Sequence, residues 1–250
     1  MAHRRTGLAK LGAAAAIGAT LAGGVTAVAS ESAGTEPANL GRAKLAVQDY
    51  YGDRVDSDGN HHATEGSAWD RQVDEAVAHA EGYLRQRLAE GVPNPAIVLD
   101  VDDTSELTYG WEADNDFGFD EEKQREAIDD AEFEPIRQTR ALANWAAEHG
   151  VRVYFLTGRG DDLQKASLRN LADEGFPEPA GAFFKPTTEA PEHLPCGLGC
   201  STVEYKSATR AHIESLGSTI VLNLGDQHSD LQGGHAEKPV KLPNPMYYLP

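Results

Sequence analysis

Four short apolar runs, residues 96–99, 151–156, 181–185 and 218–224, alternate with stretches of helical character, and that alternation narrows the fold more than any other feature of the chain. Each run is too short for a helix and is bounded by turn residues, as VPNP bounds the first, so each reads as a buried strand. Residues 68–90 carry Val73, Val77, Ala80, Tyr83 and Leu84 at amphipathic-helix spacing and stop at Gly91. Residues 121–149, 161–174 and 203–216 read as helices stopped by Gly150, Gly175 and Gly217. Strands alternating with helices predict an α/β chain with a mainly parallel sheet and right-handed crossovers. Ligands of such sheets bind beyond the carboxyl ends of the strands, so those ends are where chemistry is expected.

The 250 residues are 40% hydrophobic, enough for one good-sized core. A formal charge of −18 argues against a nucleic-acid or anionic-membrane partner, either of which calls for a basic face. Residues 1–29 read as a signal peptide. His3, Arg4, Arg5 and Lys10 form a positive start, residues 11–28 are apolar and rich in Ala and Gly, and Ala27-Val28-Ala29 fits a cleavage site. That stretch is short and weakly apolar for a membrane span, so secretion without stable membrane insertion is expected. Residues 30–66 show no clear period and read as a flexible leader, which leaves residues 67–250 as the folded domain. Within the leader, DSDGNHHATE places acids on part of a calcium-loop pattern, but Arg54 stands where the first ligand belongs, so a solvated loop is the better reading. Cys196 and Cys200 in PCGLGCS read first as a disulfide closing a small loop, with half a metal site as the rival.

The strand ends are of one kind. The first run stops in DVDDT (Asp100 to Thr104), the second in LTGR (Leu156 to Arg159), and the fourth in GDQHSD (Gly225 to Asp230), while a helix between them opens with Lys206 in EYKSATR. Carboxylates crowded at a strand end repel each other and shed water, an arrangement that calls for a metal or a chemical task. Together the segments supply acids for a divalent cation, a hydroxyl and backbone N–H groups for anion oxygens, and one ammonium. Those are the parts of a phosphoryl-transfer site.

In that order the four segments resemble the motifs of the haloacid dehalogenase-like superfamily. Over residues 68–250, including the closing KLPNPMYY, the chain resembles its secreted acid-phosphatase branch, which holds the class B and class C enzymes and the plant vegetative storage proteins. The resemblance implies a Rossmann-like three-layer core with an N-terminal helix and a small flap after strand one. It also implies Mg²⁺ dependence and hydrolysis of small phosphomonoesters through an aspartyl-phosphate. Carried onto this chain, Asp100 is the nucleophile and Asp102 the proton donor and later base, held protonated by anionic neighbours. The metal rests on the Asp100 side chain, the Asp102 carbonyl and Asp226, with Asp230 either reaching it through water or orienting Lys206. Thr157 and the N–H of Gly158 hold phosphoryl oxygens, and Lys206 balances charge growing in the transition state.

Other residues admit blander readings. Asp103 reads as a turn or capping residue, and Thr104 as a local hydrogen-bonder. Arg159 either reaches substrate or pairs with Asp161 or Asp162, and His228 reads as an exposed loop histidine. Tyr109, Trp111, Phe117 and Phe119 either stack against a planar leaving group or form the core of the flap. A non-catalytic storage or binding protein, a phosphotransferase and a metal-dependent glycosyltransferase are the competing functions. The intact acid and lysine set disfavours the first, and the second acid pair in GDQHSD has no purpose in the last. Oligomeric state is not readable from the sequence.

Overall fold

The computed structural model describes residues 37–249, and every element falls within the unit that begins at Asn39. The expected signal peptide over residues 1–29 lies outside the described residues. In chain order the elements are α1 (Leu40–Tyr51), β1 (Arg54–Val55), β2 (His61–His62), α2 (Ala68–Ala89), β3 (Pro95–Leu99), β4 (Glu106–Leu107), α3 (Tyr109–Asp114), α4 (Glu121–Asp130), β5 (Glu134–Pro135), α5 (Arg137–Glu148), β6 (Arg152–Gly160), α6 (Gln164–Asp173), β7 (Gly181–Lys185), α7 (Thr202–Ser215), β8 (Thr219–Gly225), α8 (His228–Leu231) and β9 (Lys238–Lys241). Among the described residues no helix is long and apolar enough to cross a membrane.

The central sheet runs β7-β6-β3-β8-β9, and every neighbouring pair is parallel. Strand alternation sorts its side chains onto two faces. Ile97, Leu99, Val153 and Phe155 face a core shared with α1, α2 and α5, while Ala96, Val98, Tyr154 and Leu156 pack against Tyr205 and Ile213 of α7. Helices therefore cover both faces, the three-layer α/β arrangement expected. The Cys196–Cys200 disulfide closes the loop before α7, and Cys200 is buried in that second core.

The structure corrects five points of the sequence reading. Residues 40–62 are not a loose leader: Asn39 caps α1, and Gly52 ends it with a left-handed φ of 64°. Tyr51, at the end of α1, is fully buried between the rings of Trp69 and Tyr109, with centroids 5.1 and 4.2 Å away. That stacking pins the segment to the core. The DSDGNHHATE loop turns back as the β1–β2 hairpin around Asp56, whose carboxylate accepts from the N–H groups of Asp58 and Asn60. The helix read over residues 121–149 breaks in two, because Ala131 turns left-handed at φ 59° and Pro135 cannot donate to a helical ladder. The break lets β5 pair with β4 as a small antiparallel ribbon after the first strand. The second strand runs on to Gly160, and its register with β7 slips between Leu156 and Gly160. Finally, residues 238–241, which were given no element, form the edge strand β9.

Gly225 ends β8 where the chain passes closest to α8. A Cβ there would lie 2.4 Å from Cβ and 2.6 Å from Oδ2 of Asp230, so no side chain fits unless the start of α8 moves. Gly225→Ala is expected to lower stability by about 1–3 kcal/mol, read as a lower urea midpoint at unchanged m. An unchanged midpoint would mean the two segments are not held in contact.

Candidate active site

The first carboxylate sits where β3 ends. Asp100 donates its N–H to the carbonyl of Leu224 on β8 at 3.1 Å, which continues the ladder one residue past the strand. The chain then turns sharply, with Thr104, Ser105 and Glu106 all donating to the carbonyl of Val101, and the Ser105 hydroxyl donating to the carbonyl of Asp100 at 2.7 Å. The turn requires a left-handed φ of 51° at Asp103, a conformation aspartate tolerates better than most residues. Asp103 is buried and lies on the far side of Asn244 from Asp226, close enough for the two carboxylates to share that amide. Its carboxylate accepts from the N–H and hydroxyl of Thr108, at 3.1 and 2.6 Å, and from the Tyr247 hydroxyl at 2.8 Å. Burial pushes Asp103 up to about 7 despite these hydrogen bonds. Thr104 is buried; its local hydrogen bond is the one from its N–H to Val101, while its hydroxyl has no partner.

Asp100, Asp226 and Asp230 come together beyond β3 and β8, each buried, with one oxygen apiece lying within 4.8 Å of the others. Lys206, from the first turns of α7, reaches between them. Its ammonium donates to Asp100 Oδ1 at 2.6 Å and to Asp230 Oδ1 at 2.5 Å. Burial disfavours the Lys206 charge, but Asp100 and Asp230 outweigh it and hold the ammonium above its ordinary pKa. One ammonium thus bonds two of the three clustered carboxylates. Burial therefore raises Asp100, Lys206 only partly offsets that, and Asp230 and Asp226 push it further. Asp226 is pushed up to about 7, by burial first and then by Asp103 and Asp230. A cluster of hard oxygens with negative charge in excess is the donor set a divalent cation such as Mg²⁺ takes. The residues fit that group.

Their orientation is fixed from outside the cluster. Gln227 and Asn244 each donate a side-chain N–H to Asp226 Oδ2 at 2.7 Å, while Asp230 Oδ2 accepts from the N–H of Gln227 at 2.8 Å. Arg210, fully buried on α7, donates to the carbonyl of Asp230 at 2.6 Å and to those of Gln232 and Gly234, and Asn223 donates to the Asp230 carbonyl at 3.0 Å. Burial lowers Arg210 to about 10, leaving it a cation at neutral pH. None of Arg210, Asn223, Asn244 and Tyr247 was singled out from the sequence. Asn244 and Tyr247 lie within the KLPNPMYY segment, which had pointed to the family but to no role.

Asp102 points to another partner. Arg159 donates to both of its oxygens, Nη2 to Oδ1 at 2.7 Å and Nε to Oδ2 at 3.1 Å, and the same Nη2 donates to Glu106 Oε2 at 2.6 Å. The group hydrogen-bonded to Asp102 is thus a guanidinium, set among the acids Asp100, Asp103, Glu106 and Glu112. Burial opposes the Arg159 charge, but Asp102 and Glu106 overcome it and hold its pKa above the usual value. Neither Asp161 nor Asp162 pairs with Arg159, as the sequence reading had allowed: Asp162 holds Arg125, and Asp161 accepts from Thr187. The slipped register of β6 places Arg159 inward, and its Nη1 also donates to Ser167 on α6 at 2.9 Å. Thr157 is fully buried, its hydroxyl accepting from the N–H of Arg159 at 3.1 Å, and only Gly158 of that pair lines the cleft.

The cleft above these groups holds about 440 Å³. Asp100, Asp102, Asp226, Asp230 and Lys206 line its base. Phe117 and Phe119 form one side, and Tyr247, Tyr248 and Leu249 another. The four aromatic residues of the flap divide: Tyr109 and Trp111 are core, while Phe117 and the exposed Phe119 face the cleft. Glu112 also lines it and was missed from the sequence. Burial, reinforced by Asp102, pushes its carboxyl up to about 7. His228 is exposed and stands apart from the cleft.

Known proteins resemble this chain in sequence and fold. Acid phosphatase 1 of Solanum lycopersicum is 28% identical over 162 residues, 61% of this chain and 58% of that protein, so the chain spans less than two thirds of that relative's length. The stem 28 kDa glycoprotein of Glycine max is 26% identical over 181 residues, 70% of this chain and 68% of that one. Vegetative storage protein 1 of Arabidopsis thaliana is 30% identical over 115 residues, 46% of this chain and 39% of that protein. Among solved structures, the class C acid phosphatase from Bacillus anthracis has the same fold, with a TM-score of 0.63 at 21% identity over 84% of this chain and 86% of that one. Residues 27–250 match the family model described as HAD superfamily, subfamily IIIB (Acid phosphatase), a stretch that starts well before the acidic motifs and takes in α1. The chain belongs to that family.

Proposed function

We propose that the chain is a secreted, Mg²⁺-dependent acid phosphatase that hydrolyses small phosphomonoesters through an aspartyl-phosphate on Asp100. The observation that carries this reading is the placement of Asp100: a carboxylate at the base of an open cleft, 2.6 Å from a buried ammonium and grouped with Asp226 and Asp230. Mg²⁺ held by Asp100, Asp226 and the carbonyl of Asp102, with Asp230 nearby, would balance the clustered anions and the charge of the phosphoryl group. The protein's own groups carry the remaining chemistry.

An Asp100 oxygen attacks phosphorus, and the ester P–O bond breaks on the opposite side. Lys206 anchors the attacking carboxylate and offsets charge on the phosphoryl oxygens, with the N–H of Gly158 as a further donor from the cleft wall. Asp102 gives its proton to the departing oxygen. It takes one back from the water that then attacks phosphorus, so Asp100 is released with its own oxygens and the proton balance closes. Arg159 aims Asp102 through two hydrogen bonds, leaving its carboxyl partly open to the cleft. Thr157 supports this from below, by holding the backbone that presents Gly158. Export from the cell is supported by the positive, then apolar, start of the chain and by the Cys196–Cys200 disulfide, since such bonds persist in oxidising compartments.

Removing the metal tests the first half of the reading. Phosphate release from para-nitrophenyl phosphate is expected to stop in excess EDTA and to return with Mg²⁺. Asp226→Asn should lower turnover by about 10²-fold or more while the far-UV spectrum stays native. Full activity in EDTA would rule the metal-dependent mechanism out.

The roles of the two aspartates separate by burst kinetics. Asp100→Asn has no attacking carboxylate and should give no burst of phenol with any substrate. Asp102→Asn should lose about 10²–10⁴-fold on an alkyl phosphate, whose leaving group needs a proton. On an aryl phosphate with an acidic phenol it should release one equivalent of phenol and then stall as phosphoenzyme. Equal first-step losses on both substrates, without a burst, would show the assignment to be wrong.

A further inference from the structure

We infer that Lys185 determines which phosphomonoesters this site prefers, by receiving a second anionic group carried on the leaving alcohol. This rests on the phosphatase reading of the Asp100 centre and extends it to substrate class.

Lys185 is the last residue of β7, paired in register with Gly160 of β6, so it stands at the same carboxyl edge as Gly158 and Arg159. It lines the catalytic cleft. It also lines an adjoining recess of about 440 Å³ that shares Phe119, Gln124, Gly158 and Arg159 with the cleft and continues past Pro186 and Thr187. A leaving group attached to phosphorus at Asp100 and extending toward that recess passes Lys185.

The charge around the cleft gives this position its role. The other cations nearby are already held: Lys206 by Asp100 and Asp230, Arg159 by Asp102 and Glu106, and Arg125 in the recess by Asp162. The ammonium of Lys185 makes no ion pair or hydrogen bond among the described residues, and its side chain is only partly exposed. The remaining charged groups of the cleft, Asp100, Asp102, Glu112, Asp226 and Asp230, are acids. A carboxylate or second phosphate on the leaving group is repelled from that base and finds at Lys185 the one unpaired cation that lines the cleft among the described residues. A neutral leaving group gains nothing there. Opposite charges meeting at a partly desolvated edge attract more than they would in open water.

A matched pair of substrates reads this directly. 3-Phosphoglycerate and glycerol 1-phosphate share a primary phosphoester on a three-carbon frame and differ by a carboxylate in place of a hydroxymethyl group. The expected result is that Lys185→Met lowers the ratio of kcat/KM for the first over the second by about tenfold, mainly through KM. Lys185→Arg should restore most of it, and the wild-type ratio should fall as salt is raised. Melting temperatures of both variants close to wild type would show that the fold is kept. An unchanged ratio in Lys185→Met overturns the inference and leaves the phosphatase reading standing, and so does an equal loss on both substrates. Turnover of neither substrate by the wild-type protein, with Mg²⁺ present, overturns that reading and this inference together.

Discussion

The bond network on Lys206 is the constraint around which the active edge of the sheet is built. Burying an ammonium and three carboxylates is costly unless each keeps close partners, and removing one partner leaves an uncompensated charge inside the protein. Lys206 meets two of the acids at hydrogen-bond distance, and the third, Asp226, is tied by Gln227 and Asn244. For those contacts to coexist, α7 must cross the sheet where β3 and β8 end, and α8 must begin almost against Gly225. Arg210, one turn after Lys206 on the same helix, secures the latter by donating to the carbonyls of Asp230, Gln232 and Gly234. One helix thus supplies both the charge inside the cluster and the clamp that holds the cluster's far side.

A second cation divides the acids of the first motif between two tasks. Asp100 and Asp102 lie two residues apart, but one bonds Lys206 and the other Arg159. The separation keeps their negative charges on different counter-ions, as the proposed division into attacking carboxylate and proton carrier requires. Glu106, fully buried behind Arg159 with one oxygen unpartnered, keeps the guanidinium from moving into the cleft, and burial raises its pKa against the pull of Arg159. Arg159 in turn fixes the bulged end of β6. The position of Gly158 on the cleft wall is therefore set by the same ion pair that aims Asp102.

Much of this was legible in the sequence because the information was local. Apolar runs marked β3, β6, β7 and β8, glycines marked the helix ends, and DVDDT, Lys206 and GDQHSD marked the edge where acids gather. The partners of those residues were not legible, since they are distant in the chain and carry no periodic signal. Arg159 bonds Glu106 across 53 residues, and Asn244 reaches Asp103 across 141. A long-range hydrogen bond leaves no trace in spacing. The first helix is a different case: Asn39 and Gly52 bracket it as cap and stop, and Val47 and Tyr51 repeat at helical spacing. Exposed Leu40 and Leu45 on its other sides blurred the pattern, and packing of Tyr51 against Trp69 and Tyr109, more than propensity, makes the segment part of the fold.

The last residues of the chain join the regions that the motifs leave apart. Asn244 donates to both Asp226 and Asp103, and Tyr247 donates to Asp103 while its carbonyl accepts from Gln227. The N–H of Leu249 donates to Gln227, and its carbonyl accepts from Ser229 on α8. The turn after β3 and the loop after β8 are thereby tied to one segment, which also forms a wall of the cleft. Asp103 has a structural purpose in this arrangement: it receives the tyrosine and Thr108, and shares the Asn244 amide with Asp226. That is why three acids can follow one strand within four positions. Lys206 holds the first, Arg159 the second, and the third anchors the end of the chain, so each lies in a different electrostatic environment although their backbones are adjacent.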